Sequence, residues 1–182
     1  MDDDAKAHSN FLERLFFVIE NYHFDCFGGM FLPWYQTPKP KWLSTSFGRM
    51  PLLRNSIGII NNNQYVAGGI CAFRKKVIQD LGSFPLHIGM RNGNIGYGEE
   101  NYLQDKMREK GFNIGFDPEW KIDHLVASYK HQLRWHLQRF YAKGRDKQIV
   151  TGKPMTTTQK IKLFSRAFLS TIYQLIKNLI KL

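Results

Sequence analysis

Three adjacent carboxylates, Asp2, Asp3 and Asp4, follow the first methionine. Because like charges repel one another, a folded protein does not usually hold three of them together without a cation. Mg²⁺ and Mn²⁺ are hard cations that prefer carboxylate oxygens. The run is therefore a candidate cation site. The alternative is a solvated N-terminal segment in which Asp4 caps a following helix.

A second acidic pair, Glu99 and Glu100, opens a segment that is typical of a helix. Residues 99–111 carry these acids in the first turn, basic residues in the last, and Gly111 as a stop. A third feature is the pair Gly68 and Gly69 within an apolar stretch. Two glycines there either let another group approach the backbone closely or mark a bulge in an edge strand.

The elements that must position these residues alternate between strands and helices, which predicts an α/β fold. Two long loop regions, 33–64 and 85–98, separate several of them, and the second is expected to be flexible. The predicted helices cover residues 6–21, 75–82, 99–111, 130–143 and 158–182. The predicted strands cover residues 24–32, 65–74, 112–116 and 120–126, with Pro118 between the last two.

Charge is strongly segregated along the chain. The net charge is +11, and residues 130–182 contribute all of it, with 12 Lys and Arg residues against Asp146 alone. A basic segment of this kind indicates binding to a membrane or a polyanion. Residues 1–129 are neutral overall, so the charge does not identify the whole chain as a nucleic-acid binder, and no nucleic-acid partner is expected.

Residues 158–182 have the pattern of an amphipathic helix. Basic side chains, Lys162, Arg166, Lys177 and Lys181, lie mainly outside a wide apolar face. We expect this helix to lie in the interface of an anionic membrane rather than to span it, because a span needs about 20 apolar residues. The alternative is docking against protein. The apolar face consists of Ile161, Phe164, Phe168, Ile172, Leu175, Ile176 and Leu179.

Taken in order, the motifs resemble the second half of a family 2 glycosyltransferase domain with the GT-A fold. They are DDD at 2–4, GGICAFR at 68–74, YGEENYLQDKMREKG at 97–111, IDHL at 122–125 and QRFYAKGR at 138–145. Each motif alone is weakly specific, whereas the ordered set is more so. The resemblance covers about residues 1–147.

This resemblance implies a role for each motif. Asp2 would face the nucleotide of the donor, and Asp4 with His124 would bind Mg²⁺ or Mn²⁺. Glu100 would be the general base, with Glu99 as the other candidate, since this chain has Glu where the family usually has Asp. The glycines at 68 and 69 would border the donor sugar or the acceptor.

Three more residues are candidates for substrate binding. Trp34 and Trp42 lie in the first long loop region, where their rings could stack on an acceptor sugar or simply pack the loop onto the core. Arg134 lies on the predicted basic helix, where it could hold a diphosphate or a lipid phosphate, or belong to a solvated face.

The resemblance also implies a domain plan. Residues 1–150 would be the C-terminal half of the catalytic domain, without its N-terminal nucleotide-binding half, and residues 151–182 would be a basic tail. The expected function is inverting transfer of a sugar from a nucleotide-diphosphate sugar to a glycan or lipid-linked acceptor. The expected location is the cytoplasmic face of a membrane. The alternatives are a non-catalytic membrane- or polyanion-binding protein and an inactive gene fragment.

Overall fold

A computed structural model describes residues 1–85, 88–90, 95–151 and 156–179 of the chain. Part of the predicted flexible loop 85–98 and most of the predicted break at 151–154 lie outside the described residues. So do Lys181 and the side chains of Leu175, Lys177 and Leu179. Within the described part the chain is a mixed α/β protein, which confirms the predicted class at this level.

The chain forms two compact units. Unit 1 consists of Met1–Trp34, Gly48–His87 and Glu99–Val126, and unit 2 consists of Tyr35–Phe47, Ile88–Gly98 and Ala127–Leu182. The strands are β1 (Ala5–Ala7), β2 (Cys26–Tyr35), β3 (Gly58–Ile59), β4 (Cys71–Phe73) and β5 (Ile114–Val126). The helices are α1 (Phe11–Asn21), α2 (Lys75–Leu81), α3 (Glu99–Glu109), α4 (Leu133–Thr151) and α5 (Thr157–Leu179).

The strands form one open sheet in the order β1, β5, β2, β4, and β3 also pairs with β5. The pairing of β1 with β5 is antiparallel and places Ala5 opposite His124. The pairing of β2 with β4 is antiparallel as well, with Cys26 opposite Phe73. Long β5 therefore carries the short N-terminal strand at one end and β3 at the other.

Alternating residues of β2 point to opposite faces of the sheet, as a pleated strand requires. Cys26 and Met30 belong to one buried cluster, which includes Val77 of α2 and Met107 of α3. Phe27 belongs to a second cluster on the side of α1. Helices thus cover both faces of the sheet, and the second cluster also contains Val18, Phe24, Ile70, Trp120 and Ile122.

Two differences from the predicted elements concern the surroundings of the acidic run. The first helix begins at Phe11 with Asn10 as its N-cap, so Asp4 does not cap it. Residues 5–7 form β1 because they pair with β5, and this long-range pairing overrides the local helical pattern. The two strands predicted around Pro118 are one strand of 13 residues.

Pro118 is tolerated within β5 because of its position. It lies between Phe116, which pairs with β3, and Ile122, which pairs with β1. A proline cannot donate a ladder hydrogen bond, so a site between two paired stretches suits it.

In unit 2, a buried carboxylate of α4 holds a neighbouring segment of the chain by hydrogen bonds. Asp146 is buried and accepts hydrogen bonds from the Arg145 guanidinium, at 2.6 Å from Nε, and from the Tyr97 backbone N–H, at 2.7 Å. Arg145 also donates to the Ile95 carbonyl. These bonds fasten residues 95–97 to α4.

Among the described residues, none of the helices combines the length and the apolar character that crossing a bilayer requires.

The ion pair between Arg14 and Asp117 is a testable support of unit 1. Arg14 Nη2 lies 2.8 Å from Asp117 Oδ2, and the Asp117 side chain is only 1 % exposed. Arg14→Met keeps much of the aliphatic volume but leaves a buried carboxylate without its cation. We expect a loss of about 3 kcal/mol in the free energy of unfolding, measured by urea denaturation.

The matched control is Lys121→Met, which breaks the exposed pair between Lys121 and Glu119. Exposed pairs contribute less than about 1 kcal/mol, so this variant should unfold near the wild-type midpoint. Equal losses in the two variants would show that the Arg14 pair does not hold α1 to β5.

Candidate functional site

Two of the three N-terminal carboxylates lie beside a histidine about 120 positions later in the chain. His124 Nε2 lies 3.4 Å from Asp4 Oδ1 and 3.9 Å from Asp2 Oδ2. One donor atom from each of the three residues fits within a mutual distance of 4.8 Å. All three side chains remain partly accessible, so this group, called here the Asp–His cluster, is open to solvent.

The cluster is positioned by the pairing of β1 with β5. The Leu125 backbone N–H donates to the Asp4 carbonyl at 2.9 Å, which continues the ladder by one residue beyond β1. Ala5 lies opposite His124, so Asp4 directly precedes the partner of the histidine, at the end of the ladder. The Phe31 ring of β2 packs beside the imidazole, with ring centroids 5.6 Å apart.

Gly68 and Gly69 lie against both groups of carboxylates. They belong to a short 3₁₀ turn, Gly68–Ile70, that leads into β4. A Cβ on Gly69 would stand 3.0 Å from Asp2 Oδ2 and 3.6 Å from His124 Cδ2. A Cβ on Gly68 would stand 2.1 Å from Glu100 Oε1, closer than atoms can approach. The absence of side chains at these two positions therefore lets Glu100 approach Gly68 and the cluster approach Gly69.

Burial raises the pKa of Glu100 above its ordinary value, and the neighbouring carboxylates Glu99 and Asp2 add to the rise, while a backbone hydrogen bond opposes it. Asp2, a member of the cluster, is thus within electrostatic reach of Glu100. A carboxyl group with a raised pKa is a better proton acceptor once it is ionised, as a general base requires.

Glu99 contributes a second unusual carboxylate. Its Oε2 atom is buried and has no hydrogen-bond partner among the described residues. A buried acceptor of this kind normally finds a donor, so a ligand hydroxyl or a water would satisfy it. Glu99 and Glu100 both stand in the first turn of α3, where the helix dipole favours negative charge.

The donor set of the Asp–His cluster fits a divalent cation. Two carboxylates and one imidazole are acceptable to Mn²⁺, whereas Mg²⁺ prefers a shell of oxygens alone. Adjacent ligands of an octahedral ion with bonds of about 2.1 Å stand about 3 Å apart. The distances from His124 Nε2 to the carboxylate oxygens of Asp4 and Asp2, 3.4 Å and 3.9 Å, are slightly longer than this. Small side-chain movements would therefore bring the three donor atoms to the spacing of adjacent ligands. Asp3 is exposed and is not part of the cluster.

The remaining predicted substrate-binding residues lie in β2 and in unit 2. Trp34 lies in β2 rather than in a loop, which corrects the prediction, and the ammonium group of Lys6 stands 3.2 Å from its ring centroid. Trp42 lies in unit 2, where its ring packs 5.3 Å from that of His136, in accord with the packing alternative. Arg134 is an exposed residue of α4, also in unit 2.

Two neighbours of the site were not singled out from the sequence. Phe31 belongs to the predicted strand 24–32, and its place beside His124 follows from the order of strands in the sheet. Burial, followed by the charge of Glu100, raises the pKa of the Cys71 thiol to about 12, so this residue stays protonated beside the carboxylates. In the sequence, the position of Cys71 directly after Gly68, Gly69 and Ile70 indicates that it lies near the site.

Comparison of the chain with protein-family models, with curated proteins and with solved structures found no match. The family resemblance therefore stays a prediction from the motifs.

The raised pKa of Glu100 predicts how stability depends on pH. The folded state binds this proton more tightly than the unfolded state, so stability falls as pH rises from the ordinary carboxyl pKa through the raised one. Glu100→Gln removes that loss. We expect the variant to be more stable than wild type at about pH 7 and to lose this advantage by about pH 4, in urea denaturation at both values.

Glu109→Gln is the control, because it removes one exposed carboxylate from the other end of α3. A stability difference between Glu100→Gln and wild type that stays constant over the same pH range would contradict the assignment.

Proposed function

We propose that unit 1 corresponds to the C-terminal half of a GT-A domain and that the protein is an inverting glycosyltransferase. Its donor would be a nucleotide-diphosphate sugar and its acceptor a glycan or a lipid-linked molecule. The observation that carries the proposal is the convergence of Asp2, Asp4 and His124 with Glu100 on the Gly68–Gly69 turn. These residues come from separate parts of the sequence and lie close together in the structure, which supports the proposal.

Asp4 and His124 would hold the cation, and Asp2 would lie on the side of the nucleotide. When bound, Mg²⁺ or Mn²⁺ neutralises charge on the diphosphate leaving group. Mn²⁺ is the better candidate because imidazole belongs to the donor set. The open face of the cluster leaves room for diphosphate oxygens, since the Asp2 side chain is 52 % exposed.

Glu100 would be the general base of the transfer. It would take the proton of an acceptor hydroxyl while that oxygen attacks the anomeric carbon and the bond to the diphosphate breaks. One direct displacement inverts the configuration at that carbon. Its burial and acidic neighbours raise its affinity for the proton, which places its pKa closer to the operating pH than that of an exposed carboxyl.

Glu99 would accept a hydrogen bond from the acceptor. Its unpartnered, buried Oε2 is an acceptor that a sugar hydroxyl would satisfy. A site built to hydrogen-bond a hydroxyl discriminates strongly against ligands that lack it. Glu99 also remains the second candidate for the base, because the two acids are adjacent in the first turn of α3.

Acceptor contacts by Trp34, Trp42 and Arg134 are a further part of the proposal. Trp34 is 39 % exposed, although Lys6 covers part of its ring. The half-buried Trp42 has less surface to offer, and Arg134 offers an exposed guanidinium that suits phosphate.

The experiment is a turnover and binding assay of the full chain with a panel of nucleotide-diphosphate sugars and Mn²⁺. Turnover is followed by release of the nucleoside diphosphate. Glu100→Gln should reduce turnover by roughly 10²–10⁴-fold, the usual contribution of a general base, and should leave donor binding intact. Asp4→Asn should instead weaken Mn²⁺-dependent donor binding.

Asp3→Asn is the matched control, because it removes the same charge from the same run but lies outside the Asp–His cluster. It should bind Mn²⁺ and donor as wild type does. Full turnover in Glu100→Gln would move the role of base to Glu99. Metal binding without any turnover would favour the alternative that the protein is an inactive gene fragment. Equal effects of Asp3→Asn and Asp4→Asn would contradict the proposed metal site.

A further inference from the structure

Helix α5 presents an apolar face to solvent. Ile161, Phe164, Phe168 and Ile176 recur at helical spacing, and each is between 50 % and 73 % exposed. Phe164 and Phe168 stack on each other, with ring centroids 6.2 Å apart. A stripe of large apolar side chains on a soluble surface normally marks a site of interaction.

Helix α5 approaches α4 on the side of Leu163. A Cβ on Gly144 of α4 would stand 4.0 Å from Leu163 Cδ2. At 100° per residue, Leu163 lies about 140° around the helix from Phe168. The side of α5 that approaches α4 is therefore opposite the exposed apolar face.

Helix α4 has an exposed apolar stripe of its own. Leu133, Leu137, Phe140 and Tyr141 lie on one side of the helix and are between 49 % and 73 % exposed. The buried Ala142 and Asp146 lie on the other side. Two neighbouring helices of unit 2 thus each direct apolar side chains to solvent.

The charge around these stripes has one sign. Residues 130–182 contain 12 basic residues, and their single acid, Asp146, is buried and paired with Arg145. Arg134 on α4 and Lys160, Lys162 and Arg166 on α5 are exposed. The partner of this surface must therefore be anionic and must also offer an apolar phase.

We propose that α4 and α5 bind the surface of an anionic lipid bilayer and lie in its interface. A bilayer with acidic headgroups is anionic on its surface and apolar just beneath it. A polyanion such as a nucleic acid complements the charge but offers no apolar phase for Phe164 and Phe168. Neither helix is long and apolar enough to span, so the contact is peripheral. The cytoplasmic leaflet carries such anionic lipids. This inference is independent of the proposed glycosyl transfer.

The test is co-sedimentation of the full chain with vesicles of phosphatidylcholine alone and with about one third phosphatidylglycerol. We expect binding to rise strongly with the anionic lipid and to fall in high salt without vanishing, because salt screens the charges but not the apolar burial. Each exposed basic residue should contribute about fivefold in affinity, so Lys162→Gln should weaken binding by about that factor.

A matched pair of substitutions separates the apolar face from the charge. Phe168→Asp and Ser170→Asp place the same charge on the same turn of α5, but only Phe168 belongs to the apolar face. We expect a loss of about 100-fold for Phe168→Asp and about fivefold for Ser170→Asp. Leu137→Asp and Gln138→Asp are the corresponding pair on α4, and circular dichroism checks that each variant stays folded.

Three results would overturn the proposal. They are equal affinity for neutral and anionic vesicles, no binding to either, and equal losses from the two aspartate variants of a pair. The last result would identify a purely electrostatic surface for a soluble polyanion.

Discussion

The antiparallel pairing of β1 with β5 is the interaction on which the candidate site depends. A strand of only three residues carries Asp4 to His124, about 120 positions later in the chain. So short a strand has few hydrogen bonds of its own, and its stability comes from what holds β5 in place. That support includes Trp120 and Ile122, which are buried in the cluster beneath α1. It also includes the ion pair from Arg14 of α1 to Asp117 of β5.

This arrangement concentrates negative charge beside a buried turn. Burial raises the pKa of Glu100, and the charges of Glu99 and Asp2 add to the rise. Burial also raises the pKa of Cys71, and the charge of Glu100 adds to that rise. Such a concentration destabilises a fold unless a cation or a proton compensates for it, and for this reason perturbed carboxylates are often found at functional sites. The cost is consistent with a group kept for binding or catalysis rather than for stability.

Much of the local structure was predictable from the sequence, because the relevant signals are local. The acids at 99 and 100 and the stop at Gly111 predict α3, which spans Glu99–Glu109. The predicted start of the first helix at residue 6 was wrong because residues 5–7 pair with a strand more than 110 residues away. The prediction of two strands around Pro118 was wrong for a related reason. A strand can contain this proline only because β1 and β3 pair with β5 on either side of it. The prediction that Trp34 lies in a loop was wrong because strand β2 continues to Tyr35, into a segment whose composition resembles that of a loop.

The central claim is that Asp2, Asp4 and His124 form one cation site next to Glu100. Paramagnetic line broadening by Mn²⁺, followed by NMR of the isotope-labelled full chain, tests it most directly. At low Mn²⁺ the account predicts that the amide signals of Asp4, Gly69 and His124 broaden first and together, followed by that of Glu100. Broadening that begins at the exposed acidic residues near Glu109, or that affects Asp4 without His124, would contradict it.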